Sequence, residues 1–303
     1  MSVLSLLRAR RAGGSRPPHD DGASIALAVE GGAMRGVISA GMVSALEHLG
    51  YLDAFDAVYG SSAGAINAAY FLAGQANLGT TIYYEDINNG SFIRLGRAAA
   101  GRPIVNLAYL LDDVARRRKR LDVDRVLASS VPLAVLATDV DRREAHAFGS
   151  FADGADLFAA LRAGATMPVV AGSPFHHQGH RYLDASLTEP IPLPTAEARG
   201  HTHVLVLLTR GGDMRPEPSA FDRYFVAPRL RRVSPELSES YLRRAEPYAA
   251  LVRAIDAGRG VRGDAVVTGL RVEGLHLSKL ERRAAVLRDG AARGYAVVLQ
   301  ALG

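Results

Sequence analysis

A three-layer α/β fold, with helices on both faces of a mainly parallel sheet, is what this 303-residue sequence predicts. Three observations lead there. Short β-type runs alternate with stretches of helical period, the first two runs each end in a glycine-rich turn that opens a helix, and the residues are 48% hydrophobic, enough for a sizeable core. Ile25-Ala26-Leu27-Ala28-Val29 reads as the first strand, expected near 24–29, and the pattern Val37, Met42, Val43, Leu46, Leu49 as a helix over 36–49. A strand near 55–59 and a small-residue helix over 63–74 repeat the unit. Further strands are expected near 131–138, 143–148, 181–184 and 203–209, and helices near 104–118, 153–165 and several times after 218. Ser278-Lys279-Leu280-Glu281 has the spacing of a capping box. It predicts a final helix to about Leu302, broken near Gly290.

Residues 1–23 are rich in Gly, Pro and Arg and read as a disordered basic leader. The part beyond 210 reads as mostly helical and packed on the same domain. Residues 212–240, with Pro216, Pro218, Pro228, Pro235, Phe221, Tyr224 and Phe225, read as a cover over the site or a packed surface loop. No run approaches the ~20 apolar residues of a membrane span. The start places apolar residues before basic ones, the reverse of a secretory leader, so a cytoplasmic location is expected. With no cysteine, disulfides and thiol chemistry are excluded.

The formal charge is +5, carried almost wholly by arginine, since Lys119 and Lys279 are the only lysines. Arg116-Arg117-Arg118-Lys119-Arg120 is a true cluster after a helical pattern. It reads either as a solvated helix end complementing its dipole or as a patch for peripheral contact with an anionic membrane. No nucleic-acid motif accompanies it, and no nucleic-acid partner is expected.

Two stretches carry the chemistry. Gly60-Ser61-Ser62-Ala63-Gly64 is a G-x-S-x-G between an expected strand and an expected helix, the context of a nucleophile elbow centred on Ser62. Gly60 and Gly64 fit where strand and helix cross too closely for a side chain. Glu30-Gly31-Gly32-Ala33-Met34-Arg35-Gly36 is a glycine-rich loop between strand and helix, where backbone N–H groups at a helix N-terminus stabilise an anion. That anion is a phosphate or a tetrahedral oxyanion. The loop lacks the Gly-Lys-Ser/Thr of a Walker loop, and its Gly31/Ala33/Gly36 spacing meets the dinucleotide pattern only with alanine for the second glycine. Acyl transfer needs both a serine elbow and oxyanion donors, and the chain has both.

Together with Tyr182-Leu183-Asp184-Ala185-Ser186-Leu187-Thr188-Glu189-Pro190-Ile191-Pro192, and with Ala163-Gly164-Ala165-Thr166-Met167-Pro168 before the aspartate, these stretches resemble the signature blocks of the patatin-like phospholipase family, in its bacterial branch. The likeness covers roughly residues 24–210, the expected catalytic domain. It implies a patatin-like fold and a metal-free, cofactor-free lipid acyl hydrolase that works through a Ser–Asp dyad. Ser62 would be the nucleophile and Asp184 its base; Gly31, Gly32 and Ala33 would supply the oxyanion hole. Arg35 would brace the loop or meet a lipid phosphate, with Gly36, Gly60 and Gly64 supporting the turns. The sequence departs from the family at Ala185 and Ser186, where Gly-Gly or Gly-Ala is usual. If the first of those glycines sits at positive φ, Ala185 either bears roughly 1 kcal/mol of strain or shifts the loop.

Other readings stay open beside this one. A Ser–acid–His triad is permitted by the order of His201, His203 and His276 after Asp184, though no loop-borne histidine stands out. His176, His177 and His180 lack helical ligand spacing and are expected on a surface loop rather than on a metal. The function classes are a lipid acyl hydrolase, a general carboxylesterase, and a non-catalytic lipid-binding relative.

Overall fold

A computed structural model of the chain describes residues 1–100, 102–167, 170–212 and 217–303. Among them eight strands form one sheet: β1 (Ile25–Val29), β2 (Ala57–Ser61), β3 (Leu133–Asp139), β4 (Glu144–Phe148), β5 (Phe175–His177), β6 (His180–Asp184), β7 (His203–Leu207) and β8 (Val266–Leu270). Five run parallel in the order β3-β2-β1-β7-β8, and β4, β6 and β5 join antiparallel beyond β3. Pro168 and Pro216 lie outside the described residues.

Eleven α-helices are described: α1 (Val3–Ala12), α2 (Gly36–His48), α3 (Ala63–Leu72), α4 (Ala76–Glu85), α5 (Val123–Leu127), α6 (Gly154–Ala165), α7 (Leu193–Ala198), α8 (Ala227–Val233), α9 (Pro235–Leu242), α10 (Ala245–Asp256) and α11 (Ala284–Leu302). The strands alternate between two apolar layers, as the period of two requires. Ile25, Leu27 and Val29 of β1 point into the larger core with α1, α2, α3, α4, α6 and α11, and Ala26 and Ala28 face the smaller one beneath α7 and α10. The mixed α/β three-layer architecture is therefore as expected from the alternation of strands and helices.

Every expected strand is present within two or three residues. Two strands went unseen. β5 pairs with β6 across a Gln178-Gly179 turn at φ 48 and 81, which makes the hairpin possible. Its histidines gave no alternation to read, so His176, His177 and His180 stand in strands rather than on the expected surface loop. β8 lies in the part expected to be mostly helical.

Four helical expectations change. The segment read as a disordered leader carries α1, whose Val3, Leu6 and Leu7 are buried in the main core. Arg10 on the same helix is only 3% exposed. It is satisfied by Asp21 (2.7 Å), Asp56 (2.8 Å) and the carbonyls of Ala54 (2.9 Å) and Ala23 (2.7 Å), partners that a local reading does not reach. The stretch 109–118 is helical but wound as a π-helix. In residues 212–240 most of the described part is helical, and Val226, Leu230 and Leu237, with Tyr241 just beyond, pack on Leu183 and Leu187. Finally, α11 begins at Ala284 and runs unbroken through Gly290, so Ser278 and Glu281 cap no helix. Glu281 instead accepts the N–H groups of Arg282 and Arg283, at 2.9 Å each.

Because α1 packs rather than dangles, Leu7→Ala should cost ~2–4 kcal/mol, the range for emptying a buried leucine site. Urea unfolding measures it: the midpoint should fall with an unchanged slope. A wild-type midpoint would mean that α1 adds nothing to the core.

Candidate active site

The end of β2 and the start of α3 put Ser62 on a turn at φ 55, ψ −128, a region that L-residues rarely adopt. Strain of about 1–3 kcal/mol persists at such a position only where surrounding contacts impose it, and here backbone packs on backbone. A Cβ on Gly60 would collide with Ala65 Cα, one on Gly64 with Val29 O, and one on Gly31 with Ser61 O. Gly36 opens α2, where a side chain would stand 2.6 Å from Tyr83 Oη and 2.9 Å from Ala63 Cβ. Loop and elbow are thus seated directly against each other.

The glycine loop is pinned from several sides. Glu30 N–H donates to Leu207 O (3.0 Å), Thr209 Oγ1 to Gly31 O (2.6 Å) and Ser39 Oγ to Glu30 O (3.0 Å). Asn67 Nδ2 on α3 donates to Gly36 O (2.8 Å), and Tyr83 Oη donates to Asn67 Oδ1 (3.0 Å). The buried Glu30 carboxylate accepts from Thr209 N (2.6 Å), Tyr248 Oη (3.0 Å) and Arg210 Nη1. Of the loop's N–H groups, Met34 donates to Lys279 O (3.2 Å) and Arg35 to Gly32 O (3.2 Å). Gly31, Gly32 and Ala33 line the same cleft as Ser62. Gly32 has φ 137 and Ala33 φ 52.

Arg35 fills the space that Gly32 leaves by having no side chain: a Cβ there would stand 3.1 Å from Arg35 Nη2. Its side chain is buried, and Nε and Nη2 find no hydrogen-bond partner among the described residues. Burial, and then the neighbouring Arg210, lower its pKa to about 10, which leaves it charged at neutral pH.

Ser62 Oγ donates to Asp184 Oδ2 at 2.7 Å across 122 positions of sequence. β3 explains the meeting. One edge of β3 pairs with β2 as far as Ser61 opposite Leu136, and the next place along, Ala137, is taken by Asp184 of β6. The opposite edge pairs with β4 from Val135 to Asp139. Asp184 therefore sits where β2 would have continued.

The carboxylate is held by Ser186 N–H on Oδ1 (2.8 Å), and its backbone by Thr166 O (2.8 Å) and Thr138 Oγ1 (2.9 Å). Burial pushes its pKa above the usual carboxylate range, against the lowering effect of the Ser186 and Ser62 hydrogen bonds. Ala185 opens a short 3₁₀ turn and is not among the positive-φ residues, so the strain expected there is absent. Without a glycine's freedom being required, Ala185 serves as a buried apolar contact and Ser186 as a donor to the aspartate.

Two cavities meet at Ser62. One, of about 80 Å³, is apolar and lined by Ile66, Ile82, Ile87, Phe92, Leu107 and Leu110 with Ser62, Ala33 and Asp184. The other, of about 470 Å³, is an open polar cleft reached by Gly31, Gly32, Arg35, Arg210, Arg244 and Lys279. No histidine lines either among the described residues. His201 is bound to Tyr59 Oη (2.9 Å) and Ser24 Oγ (2.8 Å), and His203 opens β7; both lie at the N-terminal end of the parallel strands, the end opposite Ser62. His276 is exposed.

His177 faces Asp156 (2.9 Å) and His180 faces Asp139 (3.1 Å). Asp139, Asp141 and His180 hold their ligand atoms within 4.8 Å of one another, yet Asp141 is engaged by Arg181 at 2.6 Å and Asp139 by the N–H groups of Asp141 and Arg142. In the 116–120 cluster, Arg116 lies over Phe158, Arg118 pairs with Asp113 (2.8 Å) and Lys119 with Glu85 (2.6 Å), as a helix end solvated and paired within the chain would be. No described helix is long and apolar enough to cross a membrane.

The profile of the family described as Patatin-like phospholipase matches residues 27–197, more than half of the chain and all three signature blocks. The chain belongs to the patatin-like phospholipase family. It is 25% identical over 202 residues to the uncharacterized protein YjjU of Escherichia coli K12, covering 66% of this chain and 56% of YjjU, so the chain spans little more than half of that relative. Among solved structures, VipD from Legionella pneumophila is 11% identical with a TM-score of 0.44, covering 92% of this chain and 66% of that one. The human GIVD cytosolic phospholipase A2 in complex with methyl γ-linolenyl fluorophosphonate is 14% identical, also at 0.44, covering 99% and 62%.

In this patatin-like domain the burial of Asp184 has a consequence for stability. A carboxyl whose pKa is raised on folding favours the native state fully below the unfolded value of 3.8, and this contribution is lost as pH rises through the raised native value. Asp184→Asn removes that cost at neutral pH and keeps an acceptor for Ser186 N–H. The variant should melt at or above the wild-type temperature at pH 7, with the difference shrinking towards pH 4. A marked loss of Tm at pH 7 would mean that the ionised carboxylate is a net stabiliser.

Proposed function

We propose that the protein hydrolyses acyl esters of lipids through a Ser62–Asp184 dyad and an acyl-enzyme. The observation that carries this reading is the 2.7 Å hydrogen bond from Ser62 Oγ to Asp184 Oδ2, made where an apolar pocket meets a polar cleft. Asp184 accepts the Ser62 proton as Oγ attacks the ester carbonyl. The raised Asp184 pKa makes the carboxylate a stronger base than an exposed one. The oxyanion is met by the N–H groups of Gly31, Gly32 and Ala33, which the pinned loop and the α2 N-terminus hold ready. Arg35, wedged under Gly32, braces that loop. The alkoxide leaves with the proton from Asp184, and water, activated by the same carboxylate, releases the acid and restores Ser62. The fatty chain lies in the apolar pocket, and the alcohol portion in the open cleft.

Ser62→Ala should lower hydrolysis of a fatty acyl ester at least ~1,000-fold and abolish labelling by a fluorophosphonate, with an unchanged melting curve. Asp184→Asn should lower turnover ~100-fold or more while leaving the protein folded. Ser61 is the control, because it is fully buried and its Oγ donates to Glu189 O (3.0 Å) rather than to Asp184; Ser61→Ala should stay active. A dead Ser61→Ala beside an active Ser62→Ala would overturn the assignment. So would a single histidine replacement that matched the loss at Asp184. A panel of phospholipids, lysophospholipids, triglycerides and short esters separates a lipid hydrolase from a general carboxylesterase, and a wild type unlabelled by the fluorophosphonate would be a lipid-binding relative.

A further inference from the structure

The antiparallel join that delivers Asp184 carries a second group of ionisable side chains at its other end. β3 closes at Asp139 opposite Tyr182 of β6, and counted on in the same register the next place on that face sets Asp141 opposite His180. Val140, between the two acids, turns the other way and is buried with Leu183 and Leu187. The ligand atoms of Asp139, Asp141 and His180 lie within 4.8 Å of one another.

The bonds that engage the two carboxylates fall mainly on one oxygen of each. Asp139 Oδ1 accepts the N–H groups of Asp141 and Arg142 (2.9 Å each), and Asp141 Oδ1 accepts Arg181 Nε (3.0 Å) and Nη2 (2.6 Å). The second oxygens are placed differently. Asp141 Oδ2 takes a long bond from the Arg181 N–H (3.3 Å), and Asp139 Oδ2 accepts no hydrogen bond among the described residues although Asp139 is only 1% exposed. His180 Nδ1 stands 3.1 Å from that oxygen, outside hydrogen-bond geometry. A buried carboxylate oxygen without a donor is costly unless a cation meets it. The donors on Oδ1 meanwhile fix the direction of Oδ2, as outer-shell partners do for metal ligands.

Zinc bound at ~2.0–2.2 Å by imidazole nitrogen and carboxylate oxygen holds its tetrahedral ligand atoms ~3.3 Å apart. The 3.1 Å between Asp139 and His180 is close to that already, and the exposed Asp141 completes the set by a side-chain rotation. We propose that Asp139 Oδ2, His180 Nδ1 and a carboxylate oxygen of Asp141 form a binding site for a divalent transition-metal ion of the zinc type, with water completing its shell. An imidazole beside two carboxylates suits such an ion better than magnesium or calcium, which favour oxygen alone. The ion ties the end of β3 to the start of β6. Asp184 lies four residues further along β6, ~13 Å at 3.3 Å per residue, so the ion stands outside the chemistry at Ser62 and acts on stability. This site is independent of the hydrolase reading above.

The test uses the full chain without an affinity tag, stripped with a chelator that is then removed. Calorimetric titration with zinc chloride should show one ion per chain with a Kd below ~10 μM. Zinc at ~100 times that Kd should raise Tm by ~3 °C or more, and magnesium should not. His180→Ala and, separately, Asp141→Asn should each weaken zinc binding at least ~10-fold and remove most of the rise in Tm. His177→Ala is the control, because its ring faces Asp156 instead, and it should bind zinc as the wild type does. Asp141 is exposed and lies past the end of β3, so Asp141→Asn decides should His180→Ala fail to fold. No saturable zinc binding, or a Kd and a Tm rise untouched by both substitutions, would overturn the site. A loss in His177→Ala as large as in His180→Ala would assign the zinc to surface histidines and overturn it as well. Magnesium or calcium binding as tightly as zinc would overturn the transition-metal assignment. Ester turnover at 25 °C should be the same with and without zinc, and a rate that requires zinc would overturn the placement of the ion outside the chemistry.

Discussion

The site depends on how one edge of β3 is shared. A parallel sheet leaves each strand's C-terminal end free, and here the vacated place beside Ala137 is occupied by the antiparallel β6 instead of by more of β2. The handover brings two distant segments end to end and sets Ser62 against Asp184 at hydrogen-bonding distance. Register matters because a slip of one residue would turn Asp184 to the other face of the sheet. The hairpin with β5 and the bonds from Thr138 and Thr166 hold β6 against such a slip.

Around that junction the backbone is packed more closely than side chains would allow. The glycines of the loop and elbow are there because carbonyl oxygens and a neighbouring helix occupy the space. Close packing lets the strained Ser62 conformation persist, since relaxing it would push the elbow into the glycine loop. The loop is braced in turn by Thr209, Arg210, Tyr248 and Lys279, all past the segment matched to the family. The C-terminal part therefore completes the site's support as well as extending the fold.

Much of this was legible in the residues because the chemistry is local. A turn between a strand and a helix needs glycines within a few positions of the serine, and that spacing is visible in any single sequence. The parallel strands were legible for a similar reason, being short apolar runs with a period or a turn at each end. Legibility failed where a residue's partner is distant. Arg10 made residues 1–23 look solvated, yet its guanidinium is satisfied by Asp21 and Asp56 while Val3 and Leu7 fill the core. Ser278 and Glu281 had the spacing of a cap, yet the segment between them serves the glycine loop through Lys279. Lys279 itself was read only as one of the two lysines and as a position inside that expected cap. Its one signal was rarity, as one of two lysines among 36 basic residues.

Asp184 shows how a departure from a family pattern can be absorbed. A glycine after the aspartate would be required only if the chain turned there through positive φ, and here it enters a 3₁₀ turn that alanine adopts freely. The methyl gained at Ala185 fills part of the smaller core beneath α7, while the donor at 186 is the backbone N–H, given to the Asp184 carboxylate at 2.8 Å and available from any residue but proline. A buried carboxylate needs donors on both oxygens to remain ionised, and Ser186 on Oδ1 with Ser62 on Oδ2 provides one for each. The attack would remove the Ser62 donor just as Asp184 takes up the proton, so the carboxylate would lose its partner only when it no longer carries the charge that required one.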